Sequence, residues 1–103
     1  MTRSEYLSAA AEIINGARQA DYGSPSDSFD VIAGYWSVYL SRTAEKEVVL
    51  AASDVANLLG LMKIGRLTTS QFQLGKDDTF IDLLGYFAIS AEISERDRLD
   101  IGL

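Results

Sequence analysis

An all-α fold, a four-helix bundle in type, is what this sequence predicts, and three observations predict it. Proline occurs once in 103 residues, alanine and leucine are plentiful, and apolar residues recur at spacings of three and four through most of the chain. No internal repeat is visible. The length fits one domain, residues 1–103, with a charged tail from about residue 96. A domain of this size buries only about two-thirds of its unfolded surface, so its core is expected to be completed by oligomerisation.

The first helix is expected from Arg3 to Ala20. Thr2 and Glu5 have the S/T-x-x-E spacing of a capping box, in which each side chain satisfies the other residue's free amide. Tyr6, Ala10, Ile13, Ile14 and Ala17 make its buried stripe, and Glu5, Ser8, Glu12, Asn15 and Gln19 a solvated one. The Asp21-Tyr22-Gly23 turn breaks the pattern. Ser24 then caps a second helix, with Pro25 at its first position, where the missing N–H costs nothing. Phe29, Ile32, Ala33, Trp36 and Leu40 form its inward face, and it ends near Ser41; Tyr35 and Trp36 are read as core.

Residues 42–50 fit either an extended piece or a helix lead-in. The third helix is expected from Ala52 to Arg66 or Leu67, with Val55, Leu58, Leu59 and Met62 on one face and Leu61 and Ile64 elsewhere, so it should be central. Thr68 to Lys76 reads as a loop. The fourth helix begins at Asp77 or Asp78 and runs to about Glu95, with Phe80, Leu83, Leu84, Phe87 and Ala91 on one broad side; Arg96 to Asp100 reads as a frayed tail.

Nine basic against fifteen acidic residues give a net charge of −6, which argues against a nucleic-acid binder. Cysteine and histidine are both absent. That removes disulfides, thiolate chemistry, imidazole bases and zinc sites of the usual kind, and leaves oxygen ligands for a hard ion such as Mg²⁺ or Mn²⁺. No apolar run reaches the roughly 18 residues of a membrane span, and the N-terminal residues do not form an apolar leader, so a cytoplasmic protein is the expectation.

Chemistry concentrates on the fourth helix. Asp78 and Asp82 lie one turn apart on one face, followed there by Gly85 and Tyr86. Two such carboxylates repel unless a cation stands between them, which suits a metal site; equally, Asp78 is a natural first-turn acid and Asp82 a natural partner for Lys63, Arg66 or Lys76. Asp54 and Asn57 share a face of the third helix, where a capping role competes with a ligand role. Arg66 falls in line with Val55, Leu59 and Met62, and a cation on an inward face needs an anion: Asp82 or a phosphate. Lys63 lies on the adjacent flank, and this pair beside two carboxylates and a metal suits a triphosphate.

The ordered set Tyr22-Gly23-Ser24-Pro25, Lys63-x-x-Arg66 and Asp78-x-x-x-Asp82-x-x-Gly85-Tyr86, with Phe29, Trp36, Leu40 and Asp54 between, resembles a small domain common in bacteriophages and prophages. That domain is in turn distantly similar to the MazG-like all-α nucleoside triphosphate pyrophosphohydrolases. The resemblance implies a helical bundle that dimerises or tetramerises, binds Mg²⁺ through acids on two helices, and cleaves an NTP or dNTP to monophosphate and pyrophosphate. In its terms Asp78 and Asp82 are catalytic, Asp54, Asp78 and Asp82 hold the metal, and Lys63, Arg66 and Tyr86 bind substrate. The active families carry E-x-x-E and then E-x-x-D; here Asn57 and Thr79 stand where acids are expected. A non-catalytic nucleotide-binding protein and a small helical interaction module are therefore the alternatives.

Overall fold

The computed structural model of the chain describes residues 1–16, 24–69 and 76–100, which form four helices: α1 Arg3–Asn15, α2 Pro25–Ala44, α3 Ala52–Thr69 and α4 Lys76–Asp100. There are no strands among the described residues. The expected extension of α1 to Ala20, the Tyr22-Gly23 turn, and residues 70–75 of the expected loop lie outside them, as does the side chain of Lys76. No helix among the described residues is long and apolar enough to cross a membrane.

Each start follows from local chemistry. Thr2 caps α1: its Oγ1 accepts from the Glu5 amide at 3.2 Å. The Glu5 carboxylate answers by accepting the Thr2 hydroxyl at 3.1 Å, so the box closes side chain to side chain and not through the Thr2 amide. Ser24 precedes α2 with Pro25 in the first turn, but its hydroxyl lies 2.7 Å from that of Ser26 and caps no amide. Asp54 acts for α3 from within: its carboxylate accepts from the Ala51 N–H at 2.8 Å, the acid's half of a capping box.

α2 runs three residues beyond the expected end at Ser41 and stops at Glu45, which takes the left-handed conformation (φ 54°). The Glu45 and Lys46 amides then close on the Ser41 carbonyl. The ambiguous residues after it are an extended strap. Ser41 Oγ accepts from the Val48 N–H at 2.8 Å and donates to the Val48 carbonyl at 3.0 Å. One turn earlier, Ser37 Oγ accepts from the Leu50 N–H at 2.8 Å. Two serines one turn apart thus supply the pairing that the strap's backbone lacks.

α4, not α3, is the central element: α3 packs along it most extensively, α1 next, and α2 touches it as well as α3. The contacts between Ser53 and Ser90, Gly60 and Phe87, and Lys63 and Asp82 run in opposite order along the two chains, so α3 and α4 are antiparallel. The buried residues among those described are Ala10, Ala33, Ala52, Val55, Ala56, Gly60, Ile81, Gly85, Ser90 and Ile93. Small side chains dominate because the helices approach closely. A Cβ on Gly60 would collide with the Phe87 ring, and one on Gly85 would lie 3.1 Å from Ile14 Cγ2.

Several expected faces are corrected by this packing. Leu58 and Met62 of α3 are exposed, because Ala52, Val55, Ala56 and Gly60 make the close contact instead. On α4 the inward side carries Ile81, Gly85, Ser90 and Ile93, while Phe80 and Phe87 sit at its margins, each about two-fifths exposed. On α2 Trp36 is half-buried as expected, but Tyr35 is 73% exposed. The tail is not frayed through Asp100. The Arg96 guanidinium forks onto both Asp30 oxygens of α2 at 3.2 Å, and this bidentate bond fastens the last turns of α4.

Candidate functional site

The two flanks of the α3–α4 contact meet at one half-buried ion pair. Lys63 Nζ lies 3.0 Å from Asp82 Oδ2, with the lysine side chain 11% and the aspartate 28% exposed. Asp82 occupies the middle of α4's inward side, between Ile81 and Gly85, and so cannot reach bulk water as freely as a surface acid. Lys63 approaches from α3, one turn beyond Gly60, where the absent side chain brings the helices close. Of the partners considered for Asp82, Lys63 is the one the described residues show in contact, the side chain of Lys76 lying outside them. Arg66 is exposed in the last turn of α3, one turn beyond Lys63.

The remaining candidates take different positions. Asp78 is exposed in the first turn of α4, on the same side as Asp82. Tyr86 is half-buried one turn beyond Asp82. Asp54 is remote: nine residues separate it from Lys63, about 13 Å along the helix, and the Ala51 amide engages its carboxylate. No three acidic side chains among the described residues gather as a group that could hold a metal. Asp78 and Asp82 share a side of α4 one turn apart, and Lys63 engages Asp82.

One contact at this end of the molecule was not legible as a site in the sequence. The Tyr6 hydroxyl of α1 donates to Asp77 of α4, and its ring meets Phe80 edge-on with centroids 6.2 Å apart. The hydrogen bond to Asp77, some desolvation and the carboxylate's charge together push the phenol's pKa above its ordinary 10.0. Asp77 thus anchors α1, and Asp78 faces outward beside it. Tyr6 carried the signal of a core aromatic only; its polar tip found a partner 71 residues away.

Four helices with a half-buried Lys–Asp pair beside an acidic helix start define a class by architecture. The comparisons define it by descent. Residues 5–94 match the family described as Domain of unknown function (DUF6378), and the chain belongs to that family. It is similar to the Gene 55 protein of Mycobacterium phage D29, at 38% identity over 89 residues, and to that of Mycobacterium phage L5, at 34% over 83. These alignments cover 86% and 81% of this chain but 53% and 48% of the relatives, so the chain spans about half their length. The domain is thus of a phage type. No solved structure matches it.

Proposed function

We propose that the domain handles a nucleotide at the α3–α4 contact, as a distant relative of the MazG-like pyrophosphohydrolases, cleaving an NTP or dNTP to monophosphate and pyrophosphate. The observation that carries this reading is the Lys63–Asp82 pair. It holds a cation and a carboxylate together at a half-buried point, with Asp78 a turn away and Arg66 near the open end of α3. A structural ion pair alone needs neither the second carboxylate nor the second cation.

In this reading Lys63 and Arg66 take the phosphates, which match the charge of both and the fork of the guanidinium. Asp82 holds the Lys63 ammonium in place before substrate arrives and is free for a divalent cation once a phosphate takes Lys63. Tyr86, on the same side, flanks the bound nucleotide. Asp78 and Asp82 would hold Mg²⁺ or Mn²⁺, which supplies charge neutralisation on the phosphates and acidifies a bound water. No histidine is available to act as base. In this reading the attacking water is activated by the metal or by a carboxylate, for which the exposed Asp78 is accessible.

The withdrawal of Asp54 into a cap favours a second reading, a protein that binds the nucleotide without cleaving it. One experiment separates the two. The full chain is melted against NTPs and dNTPs with Mg²⁺ or EDTA, and pyrophosphate release is followed for any nucleotide that raises Tm. A rise that needs the metal, with pyrophosphate released and release lost in Asp82→Asn, supports hydrolysis. A rise that persists in EDTA without release supports binding alone. No rise with any nucleotide overturns both.

A further inference from the structure

The outward face of α2 reads the same from either end. Asp27, Val31, Gly34, Tyr35, Val38 and Arg42 fall on one side of the helix, and their spacings of four, three, one, three and four residues are palindromic. All six are exposed; Val31, Tyr35 and Val38 are 58%, 73% and 64% so. They lie opposite the side that buries Ala33. A two-fold axis between residues 34 and 35 would set Val31 against Val38 of a second copy, Asp27 against its Arg42, and Gly34 against its Tyr35.

Two further observations agree with that arrangement. Asp27 and Arg42 form no ion pair among the described residues, so both charges are available to cross the axis. Glycine weakens a helix interior, and nothing in this chain explains Gly34: a Cβ there would meet no atom within 4 Å. Opposite a partner's tyrosine, the missing side chain makes room for the ring.

We infer that the outward face of α2 is a two-fold interface joining two copies of this chain antiparallel, in the register that pairs Asp27 with Arg42. The partner is a second copy because the stripe complements itself in both shape and charge. At a net charge of −6 two copies repel in general, and the crossed pairs place opposite charges where they meet.

The test is sedimentation equilibrium of the full chain and of Asp27→Arg, Arg42→Asp and the double reversal, with helicity checked by circular dichroism. All the altered positions are exposed, so folding is expected to survive. The wild type is expected at twice the 11.2 kDa chain mass. Each single reversal sets two like-charge contacts in the dimer and is expected to weaken it about tenfold or more, and the double reversal to restore it. A chain that stays monomeric at about 100 µM overturns the inference, since a stable dimer assembles well below that concentration. So does any assembly indifferent to the single reversals, or one that the double reversal fails to rescue.

Discussion

Lys63 Nζ of α3 stands 3.0 Å from Asp82 Oδ2 of α4, an ion pair between the two most extensively packed helices. The pair is mostly shielded from solvent, so its members depend on each other. Removing one leaves the other short of a partner in a place where water only partly compensates.

Asp82→Asn is therefore expected to destabilise the fold by about 1–2 kcal/mol, below the cost for a fully buried pair because Asp82 keeps some solvent. Lys63→Met with Asp82→Leu is expected to recover most of that loss. Urea unfolding of wild type, Lys63→Met, Asp82→Leu and the double variant, with Asp82→Asn beside this double-mutant cycle, measures the loss and the coupling. An Asp82→Asn chain more stable than the wild type would mean that carboxylate repulsion, and not the ion pair, dominates there.

Ser37 is the hinge pin of the strap after α2. Its hydroxyl donates to the Ala33 carbonyl at 2.6 Å and accepts from the Leu50 N–H at 2.8 Å. Ser37→Ala should cost about 1 kcal/mol and leave the Leu50 amide without its partner. Amide hydrogen exchange at Leu50 should speed up more than exchange at the centre of α4.

Glu45 holds the left-handed position that closes α2 at φ 54° and ψ 37°. Glycine takes that conformation without its steric cost, although it also loosens the unfolded chain. Glu45→Gly is expected to raise stability by about 0.5–1 kcal/mol. A calorimetric Tm that falls in this variant would show that the Glu45 side chain contributes something the cap geometry does not require.

Tyr6 gives a pH signature. Its pKa is raised in the folded chain, chiefly by the hydrogen bond to Asp77, so in the window above 10.0 the native state holds a proton that the unfolded state has lost. The stability from this contact is complete below the ordinary tyrosine range and disappears as pH rises through the folded pKa. Wild type should lose stability across that alkaline window relative to Tyr6→Phe, whose profile lacks the step. Parallel chemical unfolding of both chains between neutral and alkaline pH reads the difference.

The helices were legible because their signals are local. Thr2, the Ser24-Pro25 start and the three- and four-residue apolar spacing act within a turn or two, where the backbone's period fixes which side chains share a face. On the same ground the sequence placed Asp78 and Asp82 on one side of α4, one turn apart. It could not choose among Lys63, Arg66 and Lys76, since that depends on how α3 lies against α4. The close contact at Gly60 brings Lys63 against α4 one turn later, while Arg66 in the last turn of α3 is exposed.

The tail shows the same division. Arg96 to Asp100 carries no apolar stripe and reads as frayed, yet it is helical because Arg96 reaches Asp30, a residue 66 positions earlier. Tyr6 and Asp77 likewise meet only because α1 lies along α4. Sequence alone determined which residues are helical over most of the described chain and which of them share a face. The tertiary structure decided which faces meet, which carboxylate is a cap and which an ion-pair partner, and that α2 keeps an apolar stripe toward solvent. Periodicity is a property of a few neighbouring residues, whereas partnership is fixed by the approach of chain segments far apart in sequence.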